Sequence, residues 1–97
     1  MTQKIVINVR HGGFGLSTTA MSLYREFCSE VGGTPEEYDS DIARDNPQLV
    51  NVVQALGSEA SGAYARLKIV EVPDDVEWAI HEYDGIEWVA EVHRTWS

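Results

Sequence analysis

Glycines and a helix-capping serine lie close together near the start of the chain, at a spacing that suits anion binding. Gly12, Gly13 and Gly15 follow a predicted strand, and Ser17 stands where a helix is predicted to begin. Free backbone N–H groups at such a junction can hold a phosphate. The lysine of a P-loop and the third glycine of a dinucleotide-binding loop are absent. A small anionic ligand at these residues is therefore one hypothesis, beside a plain strand-to-helix turn.

Carboxylates are concentrated in two stretches of the chain, at 26–45 and 71–91. Sixteen Asp and Glu stand against seven Lys and Arg, which gives a net charge of −9. This charge repels nucleic acid and anionic membranes and attracts basic surfaces. A surface that serves solubility alone usually mixes the two signs, so we expect a basic protein partner. The carboxylates predicted to bind that partner are Glu26, Glu30, Glu36, Glu37, Asp39, Asp41 and Asp45.

The remaining reactive residue types do not predict catalysis, a cofactor or a bound metal. His11, His81 and His93 are spread along the chain without the spacing of metal ligands. The aspartates near residue 40 lack the glycine and the final glutamate of a calcium loop. Cys28 is the only cysteine and falls near a predicted buried helix face, and a lone thiol suits a reducing compartment. We therefore expect a non-enzymatic cytoplasmic protein.

Local patterns predict an α+β fold in the order β-α-α-β-β-β, within a single domain over 1–97. Alternating apolar residues predict strands, and Ser17 and Asn46 are N-caps that predict helices. The predicted elements are strands over 4–10 and 66–72, helices over 18–31 and 47–56, and a short helical turn over 34–38. The economical arrangement is a three- to four-stranded antiparallel sheet with the two main helices packed on one face.

The stretch 76–93 predicts a β-hairpin whose register depends on the loop at Asp84-Gly85. A two-residue loop would place Glu82 opposite Glu87 and scatter the apolar residues over both faces. A three-residue loop gives one apolar face, so the sequence favours it. The pairs it predicts are Ile80 with Trp88, Trp78 with Ala90 and Val76 with Val92. Its acidic outer face carries Glu77, His81, Glu87 and Glu91, with His81 opposite Glu87. Trp96 is expected to fold back onto the domain.

Several motifs resemble those of a family of small, uncharacterised phage and prophage proteins. They are KIVIN at 4–8, GGFGLS at 12–17, RDNPQLVNVVQALG at 44–57, LKIVEVPDDVEWAI at 67–80 and EYDGIEWVAEVHRTW at 82–96. Small acidic phage proteins often neutralise host defences, and some mimic DNA. The resemblance therefore implies an anti-CRISPR type of inhibitor in the host bacterial cytosol, acting on a CRISPR surveillance complex or another basic nucleic-acid-binding protein. His11 and His81 depart from the residues expected in relatives, so no site is carried over through them.

Overall fold

The computed structural model describes residues 2–92, and it confirms the α+β class and the order of the main elements. The elements are β1 (Thr2–Asn8), α1 (Thr18–Glu30), a 3₁₀ turn (Asp39–Asp41), α2 (Pro47–Leu56), a second 3₁₀ turn (Gly57–Ala60), β2 (Leu67–Pro73), β3 (Trp78–Tyr83) and β4 (Ile86–Glu91). None of the helices in this range is long and apolar enough to span a membrane. Trp96, with its predicted contact, lies outside the described residues.

The four strands form two small antiparallel sheets and not the single sheet that was predicted. β1 pairs with β2, and β3 pairs with β4. The helices pack on one face of the β1–β2 sheet, where Val6 joins a core with Tyr24 of α1 and Leu49 of α2. The β3–β4 hairpin covers the opposite face, and Ile5 and Ile7 lie in a second apolar cluster there. The β1–β2 sheet is therefore the middle of three layers.

Both main helices begin where the sequence predicts, because their N-cap side chains satisfy free backbone N–H groups. The Ser17 hydroxyl accepts a hydrogen bond from the Ala20 N–H at 3.1 Å. The Asn46 side chain accepts from the N–H groups of Gln48 and Leu49, and Pro47 follows it at the first helical position. These signals lie within a few residues of each helix start, so the amino-acid sequence alone is enough to place the starts of the two helices.

The short helical turn predicted over 34–38 is wrong, and a 3₁₀ turn forms at Asp39–Asp41 instead. The capping-box prediction required the Glu37 carboxylate, three residues after Thr34, to reach back to the Thr34 backbone N–H. Glu37 is exposed, and its neighbour Glu36 accepts a hydrogen bond from the Tyr24 hydroxyl at 2.6 Å. The contact of Glu36 with α1 therefore directs this part of the chain along the helix, against the local capping pattern.

The predicted hairpin register is also wrong. β3 and β4 join through a two-residue turn, in which φ is 52° at Asp84 and 89° at Gly85. Positive φ at both positions is typical of the type I′ turn, whose twist suits a two-residue hairpin. Glu82 consequently lies opposite Glu87, which is the like-charge pairing that the sequence disfavoured. A shift of one residue in register moves every side chain of one strand to the other face.

The corrected register changes both faces of the hairpin. The inner face, toward the β1–β2 sheet, carries Trp78, Ile80, Glu87 and Val89. The outer hairpin face consists of Ala79, His81, Tyr83, Ile86, Trp88 and Ala90. The predicted acidic outer face is therefore wrong, because Glu87 and Glu91 occupy inner-face register positions. His81 lies opposite Trp88 and not opposite Glu87.

Glu87 can lie opposite Glu82 because Arg44 neutralises it. The two Glu87 carboxylate oxygens accept hydrogen bonds from the two terminal nitrogens of the Arg44 guanidinium, with 2.8 Å between Nη2 and Oε2. The Asn8 N–H donates to the same carboxylate at 2.8 Å. Glu82 turns to the loop and accepts from the Gly85 N–H at 2.6 Å. The Glu87 side chain is 8% exposed and that of Arg44 is 19% exposed, so the pair is largely shielded from water.

Arg44 also fastens its own segment to the sheet and to the glycine loop. Its carbonyl oxygen accepts a hydrogen bond from the Val6 N–H at 2.8 Å. Its guanidinium carbon lies 3.7 Å from the ring centroid of Phe14, a cation–π arrangement. The segment before α2, the outer edge of β1 and the hairpin are thereby joined through one side chain and its backbone.

Replacing Glu87 with Gln tests this pairing. The variant leaves the shielded Arg44 charge without its counter-charge, so we expect the free energy of unfolding to fall by about 3 kcal/mol. Glu91→Gln is the matched control, because Glu91 is an exposed glutamate on the same strand. Its substitution should change stability by less than about 0.5 kcal/mol. Urea unfolding of both variants measures the difference, and equal losses would contradict the role given to the ion pair.

Candidate functional site

The predicted partner-binding carboxylates divide into an exposed majority and two that are held by the fold. The exposed ones are Glu26 and Glu30 on α1 and Glu37, Asp41 and Asp45 in the segment before α2. Within residues 2–92 the ion pairs are those of Arg44 with Glu87 and of His11 with Asp84, so none of these five is neutralised by a paired cation. Their charges are therefore free to attract an external cationic surface.

Glu36 and Asp39 have structural contacts that the sequence did not reveal. Glu36 accepts a hydrogen bond from the Tyr24 hydroxyl. Glu36 itself is half-buried, whereas Tyr24 is fully buried. The Asp39 carboxylate accepts a hydrogen bond from the Leu16 N–H at 2.9 Å. These two contacts bind the 36–41 segment to the middle and to the start of α1. The chain therefore runs back along the helix and carries the exposed carboxylates of this segment with it.

The Tyr24 hydroxyl is the centre of a small polar network beneath this segment. It donates to Glu36 and accepts a hydrogen bond from the Asn46 side-chain nitrogen at 3.2 Å. Burial, the hydrogen bond to Glu36 and the nearby Cys28 thiol all raise the pKa of the Tyr24 hydroxyl far above its usual value near 10. The phenol is consequently neutral at physiological pH and acts as a fixed donor.

The exposed carboxylates form two groups separated by the width of α1. Ala20, Tyr24 and Cys28 define the buried face of this helix. At 100° per residue, Glu26 and Glu30 project about 120–160° away from Tyr24, on the opposite side of the helix. Glu36 approaches the Tyr24 hydroxyl, so its segment does not share a helix face with these two glutamates. We call Glu37, Asp41 and Asp45 the loop carboxylates and Glu26 and Glu30 the helix carboxylates.

The glycine loop packs against the hairpin turn, and this contact explains its composition. Gly12 and Gly13 have φ of 119° and 97°, a region that favours glycine. A side-chain carbon at Gly85 would lie 2.6 Å from the backbone nitrogens of Gly12 and Gly13. A side-chain carbon at Gly12 would lie 2.7 Å from the Tyr64 carbonyl oxygen. The glycines therefore allow three backbone segments to approach closely.

The backbone N–H groups of Leu16, Ser17 and Ala20, at the start of α1, donate to groups of the protein itself. Asp39 accepts from Leu16, and the Ser17 hydroxyl caps Ala20 while it donates to the Glu59 carbonyl at 2.7 Å. The carbonyl oxygen of Gly15 accepts from Gly62. The anion at this junction is therefore the protein's own Asp39 carboxylate. The structure brings the four residues of the predicted ligand loop together, but it surrounds them with internal partners.

A cleft beside the glycine loop has the wrong charge for an anion. It is lined by Gly12, Gly13, Gly85 and the carboxylates of Glu82 and Asp84. Two negative side chains in one cleft oppose a phosphate. Across residues 2–92, no set of three or more His, Cys, Asp or Glu side chains is arranged to hold a metal ion.

Sequence reasoning missed a second feature of the surface, which is the outer hairpin face. Tyr83 is 73% exposed and Trp88 is 46% exposed. The sequence contained a signal for it, because the apolar residues of the hairpin do fall on both faces in the two-residue register. The distribution of apolar residues over both faces argues against the two-residue loop only if every apolar residue of the hairpin is assumed to be buried.

Comparisons with protein-family models, with curated proteins and with solved structures find no match to the chain. The function must therefore be inferred from the chemistry of the surface.

Comparing Gly85→Ala with Gly13→Ala separates the cost of a steric clash from the cost of backbone strain. Both glycines have positive φ, but only Gly85 faces atoms closer than 4 Å from an added side-chain carbon. Gly13→Ala should cost about 1–2 kcal/mol of unfolding free energy from strain alone. Gly85→Ala should cost at least about 1 kcal/mol more, because the glycine loop must move. Equal losses in thermal or urea unfolding would show that the loop does not pack on the turn as described.

The raised pKa of Tyr24 predicts a loss of stability in alkali. The neutral phenol contributes fully below the unfolded pKa near 10, and its contribution is lost as pH rises above that value. The free energy of unfolding of the native protein should therefore decrease above about pH 10. Tyr24→Phe should lower stability by about 1–2 kcal/mol at pH 7 and should flatten the alkaline decrease.

Tyr64→Phe is the control for this measurement, because Tyr64 is 74% exposed. Its alkaline stability profile should follow that of the native protein. Identical alkaline slopes for Tyr24→Phe and Tyr64→Phe would contradict the role given to Tyr24.

Proposed function

We propose that this protein is a non-enzymatic inhibitor that binds the basic, nucleic-acid-binding surface of another protein and blocks it. The observation that supports this proposal is the set of exposed loop and helix carboxylates without cationic partners in residues 2–92. Such a surface offers negative charge where the partner would otherwise bind phosphate. The protein itself does not bind nucleic acid or a membrane, because its net charge of −9 repels both.

The spacing of the helix carboxylates suits mimicry of a nucleic-acid strand. Glu26 and Glu30 are four residues apart on α1, which is about 6 Å along the helix axis. A DNA strand carries one phosphate for each ~3.4 Å of its axis, so the two carboxylates span about two phosphate steps. Electrostatic attraction of this kind accelerates association and makes it sensitive to salt.

The resemblance to phage proteins suggests where this inhibitor acts. A phage protein made in an infected cell meets host defence complexes in the bacterial cytosol, and CRISPR surveillance complexes hold nucleic acid in positively charged channels. We therefore name such a complex as the proposed target, and inhibition of the anti-CRISPR type as the proposed activity.

The first test is recovery of a partner from a bacterial lysate that contains active defence complexes. Immobilised protein should retain a basic nucleic-acid-binding complex at low salt, and added DNA duplex should release it by competition. Release by salt but not by DNA would contradict the mimicry, because the DNA and this protein would then bind different surfaces of the recovered complex. Retention of no such complex at low salt would contradict the proposed function itself.

Charge reversal of the loop carboxylates provides the matched mutational test. Glu37→Lys, Asp41→Lys and Asp45→Lys together should weaken binding more than about tenfold, because like charges would then face each other. Glu36 and Asp39 stay unchanged, since both hold the fold. The control reverses three other exposed carboxylates: Glu59, Glu71 and Asp75.

The two triple variants change net charge by the same amount, so they separate a local surface from a general charge effect. We expect the control to reduce binding only slightly at physiological salt, where screening weakens distant charges. Equal loss in the two variants, at matched melting temperatures, would contradict a specific role for the loop carboxylates.

A further inference from the structure

The outer hairpin face presents stacked aromatic side chains to solvent. The rings of His81 and Trp88 lie 5.9 Å apart between centroids with 25° between their planes. Tyr83 follows His81 on the same face, two residues along β3, and it pairs with Ile86 across the turn end of the hairpin. Exposed apolar and aromatic faces of this kind often mark interaction sites. The inner face packs on the β1–β2 sheet, whereas Tyr83 and Trp88 on the outer face are exposed.

Carboxylates border this face at both of its ends. Glu77 lies at the open end and, by the alternation of β3, shares the face of Ala79 and His81, while Asp84 lies in the turn, where it pairs with His11. Glu91 and Glu82 lie at the same two ends, in inner-face register positions. All four are exposed. The sequence from 76 to 92 contains no lysine or arginine. A ligand that is both flat and positively charged could stack on the aromatic rings and be attracted by the carboxylates at the ends of the face.

We propose that the outer hairpin face binds arginine side chains of the basic partner, an inference that rests on the proposed function. A guanidinium is planar and weakly hydrated, so it stacks on Trp88 or Tyr83, and the negative charge of Glu77 and Asp84 at the two ends of the face attracts it. An ammonium group has the charge but lacks the flat surface. The hairpin therefore adds an arginine-selective contact to the general attraction exerted by the loop and helix carboxylates.

Two other occupants fit this face less well. Nucleic-acid bases also stack on aromatic rings, but their phosphates would meet the bordering carboxylates and the net charge of −9. A second copy of the chain would bring like carboxylates together. The face is also too small for a stable dimer. Its two six-residue strands are about 20 Å long and together about 10 Å wide, so the face offers roughly 200 Å², well below the ~800 Å² per partner of a standard interface.

The test compares two synthetic peptides of equal charge, nona-arginine and nona-lysine, by calorimetry or by anisotropy of labelled peptide at low salt. The native protein should bind nona-arginine about five- to tenfold more tightly than nona-lysine. Removing Tyr83 and Trp88 together, as Tyr83→Ala and Trp88→Ala, should reduce that ratio to within about twofold. Trp88→Phe keeps a ring at the same position and should retain part of the preference.

Tyr64→Ala is the control, because Tyr64 is 74% exposed, as Tyr83 is 73% exposed, but it lies outside the hairpin. It should leave the arginine preference unchanged. The single variant Tyr83→Ala removes no stacked partner of His81, so it tests the face even where loss of Trp88 lowers stability.

The outcomes separate this inference from the function on which it rests. Binding of both peptides with equal affinity would overturn arginine selection and leave the acidic inhibitor intact. An arginine preference that survives in the Tyr83→Ala and Trp88→Ala variant would overturn it as well, since the preference would then come from carboxylates alone. Binding of neither peptide at low salt would overturn the proposed function together with this inference. The loop-carboxylate reversal should weaken both peptides equally and keep their ratio.

Discussion

The ion pair between Arg44 and Glu87 is the interaction on which the arrangement of the layers depends. Apolar contacts hold the hairpin against the β1–β2 sheet, but such contacts are not directional and do not by themselves select a register. Glu87 has one carboxylate that must meet Arg44 and the Asn8 N–H together. A one-residue slip would turn that carboxylate to solvent and leave Arg44 shielded without its counter-charge. The pair is thus better understood as a constraint on register than as a large source of stability.

This constraint also decides what the protein presents to solvent. Neighbouring residues of a strand face opposite ways, so an inward Glu87 requires an outward Trp88. Cross-strand pairing then places His81 beside Trp88, where the two rings stack. The aromatic surface of the hairpin is therefore a consequence of the buried ion pair. The acidic segment is anchored at the same position, because the backbone carbonyl of Arg44 accepts a hydrogen bond from Val6 of β1 where that segment ends.

The sequence predicts those parts of the fold that local signals determine. Ser17 and Asn46 cap the two helices within a few residues of themselves, and the predicted order of elements is confirmed. The register could not be predicted, because its determinant joins residues 43 positions apart. The same limit applies to the candidate site. Glu36 and Asp39 resemble their exposed neighbours in sequence, and only their contacts with Tyr24 and Leu16 distinguish them.

The negative charge and the exposed aromatic face compensate for each other: the charge opposes self-association of the rings, and the rings add selectivity that charge alone lacks. An exposed ring pair on a small domain favours self-association, yet a net charge of −9 makes two copies repel each other. Carboxylates alone attract any cation and discriminate poorly, whereas aromatic anchors at an interface supply shape and slow dissociation. Charge would then set the rate at which a basic partner is found, and Trp88 with Tyr83 would set how long it stays. Salt should accordingly act mainly on association, while changes to the rings should act mainly on dissociation.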